Sequence, residues 1–168
     1  MKDEEMVNAQ GRAGTNFVKT DETRVVIDRL NDLIAADRGV AEVYETAVSH
    51  LEDETNRTLL QDYAAQYRQY ATELSEQIVE RDGEPAEGPE GGSLVQRAWV
   101  SLKASVTAGE GPVIEEAAES AEHVLEEYMD AMEADLPDDV RDVVRRHLSA
   151  ARLTHEKLAG LSAAYKND

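Results

Sequence analysis

Asp37, Glu122, His147 and His155 are the side chains whose types and positions suit them to hold a cation inside this chain. A carboxylate-bridged iron or manganese site needs inward-facing acids from several helices, with histidines at the same height. His147 and His155 stand eight residues apart, about 80° around a helix and about 12 Å along it. They therefore cannot chelate one ion together, and each would need carboxylates from other helices at its own level. No histidine has a glutamate three residues before it, the pattern that builds a di-iron centre on two helices. The competing reading for each histidine is a buried imidazole hydrogen-bonded to Tyr or Asp. Asp37 poses the same choice: a lone carboxyl in an apolar seam must pair with Tyr, Arg or His, neutralise, or bind a cation.

The other candidates are weaker. Glu122 flanks an apolar face on which Glu115, Glu119 and Glu126 point further outward, and Glu45 and Glu73 sit at helix edges where solvation is expected. His50 and His123 are expected to be exposed, and His123 with Glu126 and Glu127 would hold only adventitious metal. Tyr44, Tyr63, Tyr67, Tyr70 and Tyr128 recur at helical spacing, as a packed layer of amphipathic rings or as a radical relay beside a metal. No nucleophile–base spacing, phosphate loop or nucleotide motif is present.

These residues must be positioned by helices. Val26, Leu30, Leu33, Asp37, Val40, Tyr44, Ala47 and Leu51 recur at spacings of four and three, the period that keeps one helix face against its neighbours. The first helix should open at Thr20 or Asp21 and run to about Leu51, after a flexible polar tail over residues 1–20. Asp53 is a candidate cap for a second helix carrying Leu60, Ala64, Tyr67, Ala71, Leu74 and Ile78, which should stop at Asp82-Gly83. Gly83 to Gly92 is rich in Gly and Pro and cannot be helical. Ser93 then looks like the cap of a short amphipathic helix over about 94–107, bearing Leu94, Ala98, Trp99, Leu102 and Val106. Gly109 and Gly111 end it, with Pro112 in the first turn of a third long helix carrying Ile114, Ala118, Ala121, Leu125, Tyr128 and Met132. Leu136-Pro137 breaks the chain, and Asp138-Asp139 opens a fourth with Val140, Val144, His147, Ala151, Thr154, Leu158 and Leu161.

The insertion between the second and third long helices sets the expected topology. Ten extended residues and a fourteen-residue helix reach about 33 plus 21 Å, enough to travel the length of a helix of about 42 Å. The third long helix can then start at the same end as the second and run parallel to it. The expected fold is all-α: a ferritin-like four-helix bundle in which a long crossover, with its short extra helix, joins two helical hairpins. One domain should span residues 21–168.

Composition excludes several classes. The chain has 36 acidic and 17 basic residues, a net charge of −19 and no cysteine, so disulfides and thiolate chemistry are ruled out. Nucleic acid and anionic membranes would be repelled. No apolar run approaches the roughly 20 residues that span a bilayer, and the N-terminus lacks the features of a secretory signal, which leaves the cytoplasm as the expected location. Twelve of the bases are Arg and five Lys. Such an acidic, lysine-poor surface suits either ordinary solvation or halophilic adaptation to a salt-rich cytoplasm.

The chain also resembles the bacterial ferritin-like four-helix-bundle proteins known only as a domain of unknown function, some of them grouped with stress-response proteins. The resemblance covers residues 25–162. It rests on Leu30-Asn-Asp-Leu-Ile34, Tyr44 and Ala47, Gln66 through Tyr70-Ala71 to Glu73-Leu74, and Gly91-Gly92-Ser93-Leu94 leading to Trp99 and Leu102-Lys103-Ala104. Tyr128, Ala134-Asp-Leu-Pro137 and His155 complete it. It implies a ferritin-like bundle, a homodimer, and no activity to inherit. The sequence departs from the family at Thr46 and Ser49, where relatives carry acids, and at His147, where they carry glutamine. The expected function is a non-catalytic, stress-associated or scaffolding protein that meets an unknown protein partner through its helical surface. The alternative is an iron- or manganese-binding, ferroxidase-like protein using Asp37, Glu122, His147 or His155. If the acidity is a salt adaptation, the melting midpoint should rise clearly from dilute to molar KCl; a flat or falling curve would contradict it.

Overall fold

The computed structural model describes residues 21–87, 92–105 and 108–168. The expected tail over residues 1–20, the glycines at 88 and 91, and the side chains of Ser93, Leu94, Trp99 and Val106 lie outside what it describes. Among the described residues five helices follow in order: α1 (Asp21–Val48), α2 (Glu54–Val79), α3 (Gly92–Ser105), α4 (Glu110–Glu133) and α5 (Asp138–Lys166).

Local chemistry sets the helix ends. Asp21 and Glu22 lie in the first turn of α1, where carboxylates complement the helix dipole. Asp53 caps α2, its side chain accepting from Asn56 N at 3.0 Å. At the other end of α2, Gly83 N donates to Ile78 O and Asp82 N to Val79 O, both at 3.0 Å, with Asp82 left-handed at φ 56°. That is a Schellman closure. A Cβ at Gly83 would come within 2.8 Å of Ile27 and Ile78, so the chain turns there by close backbone approach.

Contacts at the two ends establish the direction of every helix. Glu110, opening α4, accepts from the backbone N–H of Glu52 and, at 2.8 Å, of Asp53. The start of α4 therefore lies beside the start of α2. Tyr165, near the end of α5, accepts from Asn56 at 2.8 Å and donates to Glu110 at 3.0 Å. At the opposite end Arg81 grips Asp139 with two bonds of 2.7 and 2.8 Å. So α2 and α4 run one way and α1 and α5 the other, the topology that the insertion length predicts. The crossover climbs beside α1: the Asn31 side chain brackets it by donating to Glu84 O and accepting from Ala86 N, and Arg38 donates to Ala86 O. Then α3 packs onto α1 and α4, burying Ala98 and Leu102.

The first helix stops at Val48, short of the expected Leu51, but its seven seam positions and Leu51 beyond it are buried, as are the six expected for α2. The α4 seam is rotated from its expected line. Ala117, Ser120, Val124 and Ala131 are buried beside Ile114, Ala121 and Tyr128, while Ala118, Leu125 and Met132 are only partly buried. The cause is α3, which covers one side of α4 and widens its buried arc as far as Glu116, 7% exposed. On α5, Ser162 is buried and Leu161 flanks it. Ala121 has no exposed surface, so Ala121→Asp should cost on the order of 4 kcal/mol by burying an unpaired charge. Thermal unfolding measures this, and unchanged stability would contradict the α4 register.

Candidate functional site

Each long helix contributes one polar side chain to a thread that crosses the core. Asp37 sits between Leu33 and Val40 on the buried face of α1. Tyr128 of α4 donates to Asp37 Oδ2 at 2.7 Å, and its hydroxyl lies 3.4 Å from His147 Nδ1 on α5. His147 Nε2 is 2.9 Å from Glu73 Oε2 on α2, and Arg146 donates to that same oxygen at 2.9 Å. Asp37, Tyr128 and His147 are fully buried, whereas Glu73 keeps 23% of its side chain exposed. The thread thus leads from the bundle surface to its centre.

Aromatic rings line the same path. Tyr70 stacks on His147 with centroids 4.0 Å apart and planes 18° apart, and Tyr128 meets the imidazole edge-on at 6.0 Å. Contacts continue from Tyr70 to Tyr67 at 5.7 Å, to Tyr44 at 6.1 Å and to the half-buried Tyr63 at 6.3 Å.

Burial and partners set the protonation states. Burial pushes the Asp37 carboxyl well above the usual range, and the Tyr128 hydrogen bond only partly opposes it. Asp37 is therefore the group that resists ionisation, since its charge would sit in a low-dielectric core. Burial also lowers His147, against the pull of Glu73. Burial would raise Glu73, but hydrogen bonds from His147 and Arg146 outweigh it and hold this carboxylate below its ordinary value. An ionised Glu73 only accepts, so His147 must present Nε2–H to it. The neutral imidazole then turns the Nδ1 lone pair toward the Tyr128 hydroxyl. Once the Tyr128 hydroxyl turns from Asp37 to Nδ1, the arrangement can move a proton along Tyr128–His147–Glu73.

The four sequence candidates separate in space. Asp37 and His147 are joined through Tyr128. Glu122 is exposed on α4 and His155 is half-buried, two turns beyond His147 and outside the thread. Among the described residues, no three His, Asp or Glu side chains converge closely enough to hold an ion. Glu45 is a surface acid gripped by Arg68 at 2.6 and 2.7 Å, and His123 lies 3.9 Å from Glu127 at the surface. Glu73 is not the solvated edge acid expected from its position. Its place three residues after Tyr70 puts it on the flank of the α2 seam, the one sequence signal that pointed inward.

A family model described as a domain of unknown function, DUF2383, matches residues 25–134. The chain belongs to the DUF2383 family. No curated protein matches it significantly. Solved structures similar to this DUF2383 chain include the following two. One is the bacterioferritin-related protein of Bacteroides fragilis, a dodecameric thioferritin, at 14% identity and a TM-score of 0.66 over 86% of this chain and 88% of that one. The other is a mutant of Dps1 from Mycobacterium smegmatis, at 12% identity and a TM-score of 0.72 over 86% of this chain and 99% of that one. At these identities the likeness shows the fold, which is ferritin-like.

The raised Asp37 carboxyl has a consequence for stability. The unfolded chain releases this proton above its ordinary value of 3.8 while the folded chain keeps it, so the group costs stability increasingly as pH rises from there. Asp37→Asn, whose side-chain oxygen can still accept from Tyr128, should gain stability relative to the parent between pH 4 and 7. Urea midpoints across that range measure the gap. A constant or shrinking gap would mean that Asp37 is ionised in the folded protein.

Proposed function

We propose that this DUF2383 protein is a non-catalytic, stress-associated or scaffolding bundle of the cytoplasm that acts as a homodimer through its helical surface. One observation carries the reading: the members of the polar thread are bonded to one another. His147 and Glu73 hold each other, and Tyr128 occupies the oxygen of Asp37 that faces them. A di-iron or di-manganese centre in such a bundle takes four or more carboxylates and histidines converging from all its helices, and these residues do not fit that requirement. The surface clefts of about 300 Å³ at Arg81, Leu136 and Pro137, and of about 440 Å³ at Arg38 and Arg68, are lined by none of the thread's members.

What remains for recognition is the outer surface, acidic and carrying separate exposed apolar side chains such as Leu153 and Val100. Self-association is within the reach of the fold, since the similar Bacteroides fragilis protein is dodecameric. One feature favours a second reading, iron or manganese binding: Asp37 Oδ1 has no hydrogen-bond partner among the described residues.

Untagged protein prepared without chelator, titrated with iron and manganese, distinguishes the two by elemental mass spectrometry and light scattering at micromolar concentration. The expected outcome is a dimer holding no stoichiometric metal. One or two tightly held ions per chain, lost in Asp37→Asn or His155→Ala with the fold intact, would replace this reading with the metal-binding one. A monomer at every concentration would remove the dimer.

A further inference from the structure

We propose that Tyr128 is a redox-active tyrosine that stores a one-electron oxidising equivalent reaching the protein surface, with His147 as its proton acceptor and the stacked tyrosines as the electron path. This goes beyond the surface role above and requires no bound substrate and no turnover.

Three observations meet at this residue. First, the ring contacts are continuous from Tyr63, half-exposed at the surface, through Tyr44, Tyr67 and Tyr70 to His147 and Tyr128, with each successive pair of centroids 4.0–6.3 Å apart. Rings in such contact pass an electron readily. Second, losing an electron makes a phenol a strong acid, so the ring that holds the oxidised state is the one with a base beside its O–H. Tyr128 has that base in His147 Nδ1 at 3.4 Å. Tyr44 has no hydrogen-bond partner for its buried hydroxyl among the described residues, and Tyr70 is bonded to the Gln66 amide, which is not a base. These rings pass the charge on. Third, the product is sheltered: Tyr128 is fully buried, so its radical cannot meet a second one and couple.

The step balances within the chain and one oxidant. A one-electron oxidant at the surface, such as an oxyl or metal-complex radical, takes an electron from Tyr63 and is reduced. The electron is replaced along the ring series until the deficit rests on Tyr128. The Tyr128 O–H, which rests on Asp37 Oδ2, turns to His147 Nδ1 3.4 Å away and breaks; its proton forms an N–H bond there, and a neutral phenoxyl radical remains. Glu73 accepts from Nε2–H of the new imidazolium and balances its charge. Glu73 is a positioning residue here, acting through His147. Asp37, kept neutral by its burial, turns its own O–H onto the phenoxyl oxygen at the 2.7 Å contact. One electron from any reductant reverses the sequence.

Tyr165 is the natural control. Its hydroxyl donates to the Glu110 carboxylate at 3.0 Å, but it lies at the far end of the bundle, outside the ring series and half-exposed.

The test is photo-oxidation of the full chain with ruthenium tris(bipyridine) and persulfate, followed by freeze-quench electron paramagnetic resonance. The expected result is a long-lived neutral tyrosyl signal that is lost in Tyr128→Phe, kept in Tyr165→Phe, and reduced in yield in Tyr70→Leu. Glu73→Gln, at a side chain that reaches the surface, should shorten the lifetime of the signal several-fold in protein whose circular dichroism matches the parent; it decides the matter even if Tyr128→Phe fails to fold. An unchanged lifetime in Glu73→Gln would overturn the proposal. So would an unchanged signal in a folded Tyr128→Phe, or a parent signal that decays directly into dityrosine.

Discussion

A single carboxyl at the middle of the α1 seam constrains the rest of this bundle. Asp37 occupies a position where the heptad pattern otherwise places Leu, Val or Tyr, so folding must take it out of water. A buried acid is tolerable only if it stays neutral or is well bonded; burial keeps Asp37 neutral, and its bond depends on Tyr128 reaching it across the core. Once Tyr128 is committed to Asp37, its hydroxyl fixes where His147 can lie. The imidazole in turn needs an acceptor for Nε2–H, which Glu73 supplies. The four long helices are thereby tied to one relative rotation by a series of short polar contacts, while the apolar seams hold them together without prescribing that rotation.

The crossover serves the same geometry from outside. It must carry the chain the full length of the bundle so that α4 starts beside α2, and it is held against α1 by Asn31 and Arg38 and by the packing of α3. Glu110 closes the far end by accepting from the α1–α2 loop and from Tyr165. Because α4 then runs antiparallel to α1, Tyr128 near its end comes level with Asp37. A simple up-down bundle would reverse α4 and send Tyr128 to the other end, so the thread depends on the topology as much as on the residues.

The thread also shows what this ferritin-like core holds where its described residues form no carboxylate–histidine cluster. Carboxylates and imidazoles held a few ångströms apart in a dry core make a metal site when they converge on a point, and a proton path when they line up. Here a phenol stands between Asp37 and His147, and the groups line up. Sheltering the Tyr128–His147 pair and presenting an acidic surface outside are compatible roles for one chain, since the first uses the core and the second the exterior.

Much of the architecture was legible from the order of residues alone. The spacing of apolar positions placed every seam residue of α1 and α2 in the core, Asp53 announced its cap, Asp82-Gly83 and Leu136-Pro137 marked the breaks, and the insertion was long enough to allow the crossover. Each of these is local or additive along the chain. Asp37 and His147 could likewise be singled out as polar groups on apolar faces, though not as neighbours of one phenol. What the sequence could not supply was the facing of one helix against another. Whether Glu73 is a solvated edge acid or the acceptor for His147, and whether Ala117 or Ala118 leads the α4 seam, turns on a rotation of less than a third of a helical turn. That rotation is settled by α3 lying over α4 and by side chains more than 70 residues apart meeting across the core, a choice made only when all the helices pack at once.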